Sequence, residues 1–393
     1  MNAELIAKSV FWGALGLLTY SYVLYPVLVG LWARLARRTP AREICAVTDW
    51  PTVTLVVAAY KEERFIQERL ENAARTDYPE GKFDVVIGCD GQEDRTGQIV
   101  AAFDDRRVRL LQFPQRRGKA SVLNDAVPTA AGEIVLFSDA NTFLDADATK
   151  RIVRHFEDPT VGGVVGKLIL TDGATGKNVD GLYWRYENFV KTCEGKIGAL
   201  LGANGAIYAI RKSLWRPIPA NTIVDDFLIG MRIHESGHKL VYDATAIANE
   251  ETAPSIADEF HRRARIGAGG FQSLAWLAGL LAPWHGRVAW AFWSHKVLRW
   301  LGPVWMLAML IANIALLTTG EPLYRGLLAL QGGLYLAAFL GSRLTFPGAI
   351  GKLLKVAALF VNMNAALFVG LGRWLRQSQG GVWKRTERSA AGA

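Results

Sequence analysis

The sequence predicts an α/β domain with a mostly parallel central sheet, flanked by helical membrane segments. Three observations carry this. Short apolar runs alternate with stretches of helical periodicity between residues 51 and 250. Apolar segments of membrane-spanning length stand before and after that region. Hydrophobic residues make up 51% of the 393-residue chain and thirteen are tryptophan, above the about 45–50% apolar content of ordinary soluble domains.

The first element is "VFWGALGLLTYSYVLYPVLVGLWARL" (10–35), which has no charge before Arg34. About 20 apolar residues cross the hydrocarbon core. A secretory signal would be shorter, basic at its start and ended by small residues. Residues 1–38 therefore read as a retained anchor with its basic end in the cytoplasm, and 39–50 as a linker.

The central domain, 51–254, opens on "TVTLVVAAY" (52–60), a strand that closes on "KEER". A helix is expected over 63–74, a second strand over 83–91, a helix over 96–103 and a third strand over 107–113. A helix over 118–127 and a strand over 132–140 follow. Apolar strands separated by helical segments of roughly ten residues argue for a parallel sheet covered on both faces. In open sheets of this type ligands bind beyond the carboxyl ends of the strands. Asp90 and Asp139 both fall at such ends.

After the domain, residues 255–295 read as basic and interfacial amphipathic helices, since Pro283, His285 and Arg287 break a tryptophan-rich stretch. Residues 296–375 hold three further spans, at 298–317, 325–344 and 353–372, the last with two internal asparagines. A basic tail occupies 376–393. One crossing before the domain and three after it would put that tail opposite the domain, against the positive-inside bias; either the last segment does not fully cross or the number of crossings differs from four.

The net charge of +9 collects beside the apolar segments, in "ARLARR" (33–38) and "WKRTER" (383–388). That placement favours membrane flanks and predicts no nucleic-acid binding. Cys45, Cys89 and Cys193 are too scattered for a disulfide framework or a metal cluster.

The first turn, "AAYKEER", carries no glycine-rich phosphate loop. This excludes the dinucleotide and P-loop readings and leaves a nucleotide held by side chains, with or without a metal. Several residues then have two readings each. Asp90 suits either a ligand contact or an Asx-type turn before Gly91. Arg116, Arg117 and Lys119 form either an anion field at a helix start or a solvated charge run. Thr222 and Asp225 have capping-box spacing, which leaves Asp226 in the first helical turn without a capping role. The helix dipole would lower the Asp226 pKa, whereas desolvation and Asp225 would raise it towards that of a useful base. Ser255 and Asp258 have cap spacing too, and Arg262 and Arg265 share one helical face, suited to a diphosphate or to anionic lipid. In "GANGAIY" (202–208) small residues permit close approach of a ligand or simply a tight turn into a strand. The aromatics of "GLYWRYENF" (181–189) stack on sugar or, for most of them, pack on core.

With "VVAAYKEE", "VVIGCDGQEDRT", "RRGKASVLN", "FSDANT", "GANGAIY", "TIVDDF" and "RRAR" in this order, the chain resembles the membrane-bound family-2 glycosyltransferases, among them cellulose, chitin, hyaluronan and poly-N-acetylglucosamine synthases. The resemblance covers about residues 50–270 and the flanking membrane segments. It implies a GT-A fold, a nucleotide-diphosphate sugar donor (usually UDP-linked), a divalent metal (Mg²⁺ or Mn²⁺) and inversion at the anomeric carbon.

Carried over residue by residue, the resemblance places Ala59, Tyr60 and Glu62 beside the nucleoside, with Lys61 where asparagine is commoner. It puts Asp90 on the uracil edge and Lys119 and Asn124 near the nucleotide. Asp139 would hold the metal, and Asn141 would offer an amide oxygen where the family has a second carboxylate. Gly202, Asn204 and Gly205 would lie on the acceptor side. Asp226 would be the catalytic base, supported by Asp225, and Arg265 with Arg262 would steady the departing diphosphate. Ile266 stands where the synthases have tryptophan, which bears on processive polymerisation.

The expected protein is a multi-pass inner-membrane enzyme with a cytoplasmic catalytic domain. It would move sugar to a glycan or lipid acceptor among membrane lipids, with export or assembly subunits as further partners. Two alternatives stand beside it: transfer of a single sugar to a lipid, and an inactive carbohydrate-binding scaffold that kept the fold.

Overall fold

The structure, a computed structural model, describes residues 3–36, 44, 47, 49–171, 181–251 and 256–381. Cys45, the cap pair Ser255 and Asp258 and the basic stretch 383–388 lie outside what it describes. The chain forms two compact units. One comprises residues 29–254 with 275–291 and 380–393; the other comprises residues 1–28, 255–274 and 292–379.

The first unit is built on an eight-stranded sheet: β1 (Val53–Ala59), β2 (Phe83–Asp90), β3 (Val108–Phe113), β4 (Ile134–Phe137), β5 (Thr142–Leu144), β6 (Val161–Thr171), β7 (Tyr208–Arg211) and β8 (Lys239–Glu251). Their spatial order is β3-β2-β1-β4-β7-β6-β8-β5. β1 pairs parallel with both β2 and β4, and β2 with β3. These are the four strands anticipated from the sequence, and β1, β2 and β4 are buried along nearly their whole length. Continuous apolar runs buried on both faces are what a helix-covered parallel sheet requires.

Beyond β4 the direction changes. β7 runs antiparallel to both β4 and β6, and β5 antiparallel to β8, while β6 and β8 pair in parallel across two irregularities in register. The sheet is therefore mixed, with parallel pairing in four of its seven ladders. The antiparallel β4–β7 pair has a direct consequence for the rim. β4 leaves the sheet at the same edge where β7 enters it, so the loop after Phe137 meets the loop before Tyr208. Ser138 Oγ donates to the Ala206 carbonyl at 2.8 Å and closes the two loops together.

One local expectation is corrected. Thr222 is not a cap: its hydroxyl donates to the Pro219 carbonyl at 2.6 Å, and the helix Asp225–Glu235 starts from Val224 with no side-chain cap. Asp225 is thus the first helical residue and has no capping function. Asn124 makes two hydrogen bonds with Ile218, its amide donating to the carbonyl at 2.7 Å and its oxygen accepting from the N–H at 2.9 Å. That is a structural clamp between the helix Lys119–Thr129 and a distant loop.

The second unit is helical. Ala3–Thr19 continues through a π-helical turn, Tyr20–Leu24, into Tyr25–Leu35, whose end belongs to the first unit. Together with Gly302–Thr319, Pro322–Arg343 and Gly348–Leu375 this makes four helical stretches long and apolar enough to cross a membrane. At about 1.5 Å per residue, the 22 residues of Pro322–Arg343 match the roughly 30 Å hydrocarbon core. Leu330, Leu336 and Phe339 are exposed along it, as a lipid-facing side would be. The two asparagines of the last stretch have partners. Asn362 donates to Ser342 Oγ at 3.1 Å, and Asn364 accepts from Tyr22 at 3.3 Å while donating to the Phe360 carbonyl at 2.9 Å.

Candidate active site

Asp90 ends β2 with only 4% of its surface exposed. Its two carboxylate oxygens accept the backbone N–H groups of Arg117, at 2.6 Å, and Gly118, at 2.8 Å. Both oxygens thus clamp the loop that precedes the helix Lys119–Thr129. Gly118 adopts φ +91°, a conformation that favours glycine and lets two successive amides point at one carboxylate. The neighbouring cations are engaged as well. The Arg116 guanidinium stacks 3.7 Å over the Tyr60 ring, and Arg117 pairs with Asp125.

The residues at the end of β1 also tie into this rim. Tyr60 donates to Glu93 at 3.0 Å, Lys61 meets the same carboxylate at 2.7 Å, and Thr96 Oγ1 accepts the Glu62 N–H at 2.9 Å. Ala59 is buried in the core.

Lys119 follows Gly118 as the first residue of its helix. It is no member of a solvated charge run: its side chain is 14% exposed and reaches inward. Its Nζ lies 2.7 Å from Asp139 Oδ1 and 3.2 Å from Asp225 Oδ2. Burial alone would lower its pKa, but Asp139, Asp225 and Asp226 outweigh that and hold it above the ordinary lysine value. Asp226 Oδ1 accepts the Phe227 N–H at 2.8 Å. Burial, and then the charge of Asp225, push the Asp226 carboxyl up to about 6 against the opposing pull of Lys119 and that N–H. Desolvation wins the competition that the sequence left open.

Asp139 stands in the loop between β4 and β5, its side chain 35% exposed, and Asn141 is half-buried beside it in sequence. The glycines of 202–208 are shaped by this cluster and by the neighbouring helix. A Cβ on Gly205 would stand 2.7 Å from Asp139 Oδ2. Gly202 adopts φ +72° and leaves no room for a side chain against Phe227. Asn204 spends its amide on the Gly166 carbonyl, at 3.0 Å, and its oxygen on the Ile207 N–H, at 3.2 Å. Its interactions are those of a strut for the turn.

Two residues near the carboxylates were not anticipated. Arg69, on the helix Ile66–Ala74, is 1% exposed and donates from Nη1 to Asn72 Oδ1 at 2.7 Å. Its Nε and Nη2 have no hydrogen-bond partner among the described residues. Burial lowers its pKa to about 10, and the charge of Asp139 opposes that. Its only trace in the sequence is a cation among the apolar positions Ile66, Leu70 and Ala73 of an amphipathic helix. Tyr208 is the second. It stacks on Phe137 at 4.6 Å, and its phenol is held well above the ordinary value by burial and the three aspartates.

Arg262 and Arg265 belong to the other unit, on the helix Ile256–Trp276, and both are half-buried. Ile266 beside them is 41% exposed. The structure brings together Asp139, Asp225, Asp226 and Lys119 at one rim of the sheet, with Gly205 against Asp139.

The donor set at this rim is all oxygen, which suits a hard divalent cation. Among the described residues, however, no three His, Cys, Asp or Glu side chains converge to hold a metal on their own. An oxygen-rich rim without a complete ligand set is compatible with a metal that would share its coordination with a ligand phosphate.

A parallel nucleotide-type half-sheet joined to a mixed half, with carboxylates at the strand ends, defines a GT-A glycosyltransferase fold. The profile of the glycosyltransferase like family 2 matches residues 51–269, more than half of the chain, and the chain belongs to that family. A poly-beta-1,6-N-acetyl-D-glucosamine synthase of Staphylococcus epidermidis is 24% identical over 229 residues, 56% of this chain and 55% of that protein. The homologous enzyme of Staphylococcus aureus strain COL is 24% identical over 235 residues, 58% and 57% of the two chains. The chain thus spans a little over half the length of these relatives. A mannosyltransferase of Pyrobaculum calidifontis, solved with GDP-Man and Mn²⁺, has the same fold: the TM-score is 0.71 at 23% identity, covering 96% of this chain and 99% of that one.

Proposed function

We propose that the protein is an inverting, membrane-bound glycosyltransferase that takes sugar from a nucleotide-diphosphate donor, UDP-linked by preference. The donor lies at the carboxyl ends of β1, β2 and β4. The observation that carries this reading is the group of three aspartates around Lys119 at that rim, with one carboxyl raised to about 6.

In the proposed reaction Asp226 accepts the proton of the acceptor hydroxyl. The freed oxygen forms a bond to the anomeric carbon as the bond from that carbon to the diphosphate oxygen breaks. Attack from the opposite side gives inversion in a single displacement. A carboxylate of pKa about 6 is ionised at neutral pH yet basic enough to share a proton in the transition state. Asp90 holds the loop that carries Lys119 and, through its remaining lone pairs, faces the base of the nucleotide. A divalent Mg²⁺ or Mn²⁺ would be held by Asp139 and Asn141 and would neutralise charge on the leaving diphosphate. Gly205 and the adjoining turn border the acceptor.

The relatives of known product make a polysaccharide, which supports an exported glycan as product and a catalytic domain on the cytoplasmic side of the inner membrane. Transfer of one sugar to a lipid is the second reading, favoured by Ile266 in place of an acceptor-stacking aromatic. Incubating membranes with a panel of labelled nucleotide sugars, with and without Mg²⁺ or Mn²⁺, tests the whole proposal. Consumption of one donor with a product ladder is expected; a single-sugar product selects the second reading, and no consumption of any donor refutes both.

A further inference from the structure

Lys119 does more here than line a nucleotide site. Its ammonium bridges Asp139 Oδ1, at 2.7 Å, and Asp225 Oδ2, at 3.2 Å. Asp139 Oδ2 lies against Gly205, where even a Cβ would stand 2.7 Å away. Lys119 therefore takes one Asp139 oxygen, and the other faces a glycine that has no side chain to fill the space beside it. A buried second cation, Arg69, adds positive charge within reach of Asp139. Such a carboxylate is already paired, and a divalent cation arriving alone would have to displace an ammonium from the lone pairs it needs. An ammonium on a flexible four-carbon stem is a point charge that can be redirected to another anion.

We infer that Lys119 is a resident counter-ion that blocks the metal position in the donor-free enzyme and releases it by turning to the incoming diphosphate. The inference rests on the glycosyltransferase reading of this rim. It makes Lys119 a positioning residue with two alternating partners: the carboxylates at rest and the diphosphate when loaded. Metal and nucleotide must then enter together, because the diphosphate supplies both the missing metal ligands and the new partner for the ammonium. By linkage, whatever factor nucleotide gives to metal binding, metal gives to nucleotide binding.

The test is a Mn²⁺ titration of the full-length purified protein, read by the electron paramagnetic resonance of free Mn²⁺, with and without UDP or GDP. Wild type is expected to bind Mn²⁺ weakly alone and at least about tenfold more tightly with nucleotide, a coupling within the usual range. Lys119→Met should raise nucleotide-free Mn²⁺ affinity about tenfold and weaken nucleoside diphosphate binding. Lys119→Arg, which keeps the charge, should bind free Mn²⁺ as weakly as wild type. Damage to the fold would weaken metal binding, so a gain cannot come from a merely structural role. If the Met variant does not fold, Lys119→Gln makes the same comparison. A neutral variant that binds free Mn²⁺ no more tightly than wild type overturns the inference. So does wild type binding Mn²⁺ equally with and without nucleotide, which needs no variant. Should no complex form with either nucleotide and Mn²⁺ together, the donor-site reading itself falls, an outcome distinct from both.

Discussion

Asp90 and Asp139 occupy matching places, each at the carboxyl end of a parallel strand, yet they are held in opposite ways. Asp90 is buried and its two oxygens accept main-chain N–H groups, from Arg117 and Gly118. Asp139 is one-third exposed and its strongest partner is a side-chain ammonium. A backbone amide cannot leave without unfolding a loop, whereas a lysine can turn away. The first arrangement builds a fixed wall, and the second builds a place where ligands can exchange.

The base gives the largest expected effect. Asp226→Asn should lower kcat about 10²–10⁴-fold while leaving donor binding in place, measured by steady-state kinetics beside nucleotide calorimetry. Unchanged turnover would remove Asp226 from the mechanism. The contrast itself is tested next. Asp90→Ala orphans the buried Gly118 N–H and the part-buried Arg117 N–H and should cost about 1–3 kcal/mol of stability, read by chemical denaturation. Asp139→Ala should abolish metal-dependent donor binding with a much smaller loss of stability. Equal destabilisation by the two variants would erase the distinction between wall and exchange site.

Acidity separates activity from stability. The proposed base, Asp226, would act only when ionised, so kcat should fall as pH drops through about 6. The same raised pKa has the opposite effect on folding. Below the unfolded value, about 3.9, the group is protonated in both states and costs nothing. Between there and about 6 the unfolded chain releases its proton first, so this contribution to stability is lost as pH rises. A pH series of kcat and of denaturation midpoints should show the two opposed trends, and Asp226→Asn should remove both. The smallest effect is expected at Asn141: Asn141→Ala should weaken donor binding several-fold, less than one carboxylate ligand does. Asn141→Asp should tighten the nucleotide-dependent Mn²⁺ affinity; no change there would make Asn141 a bystander.

How much of this was legible in the sequence depended on the length of the runs. β1 to β4 announce themselves as apolar stretches ended by turn residues or charges. β5 has three residues and β7 four, too short for any periodicity to register, and β8 is broken by an irregularity near Asp243. The mixed half of the sheet was therefore invisible, although its fold class was not. At the site, strand-end position was enough to single out Asp90 and Asp139. The Thr222–Asp225 spacing misled because a proline carbonyl, three residues before, competes for the hydroxyl and the helix begins later. The bridge from Lys119 to Asp139 and Asp225 joins segments 20 and 106 residues apart, and only the folded sheet reveals it. Arg69 was missed because a cation among apolar helix positions normally extends outward to solvent.

The antiparallel meeting of β4 and β7 makes loop length an adjustable part of this rim. The loop leaving β4 carries Asp139 and the loop entering β7 carries Gly205, and the strands beneath them are locked in register from Ile134 to Phe137. One residue inserted between Gly205 and Tyr208 would leave every ladder hydrogen bond intact yet slide the glycine off the carboxylate. The space next to Asp139 is thus set by the count of residues in a turn, and chains sharing this sheet can change what they admit there without altering a buried side chain.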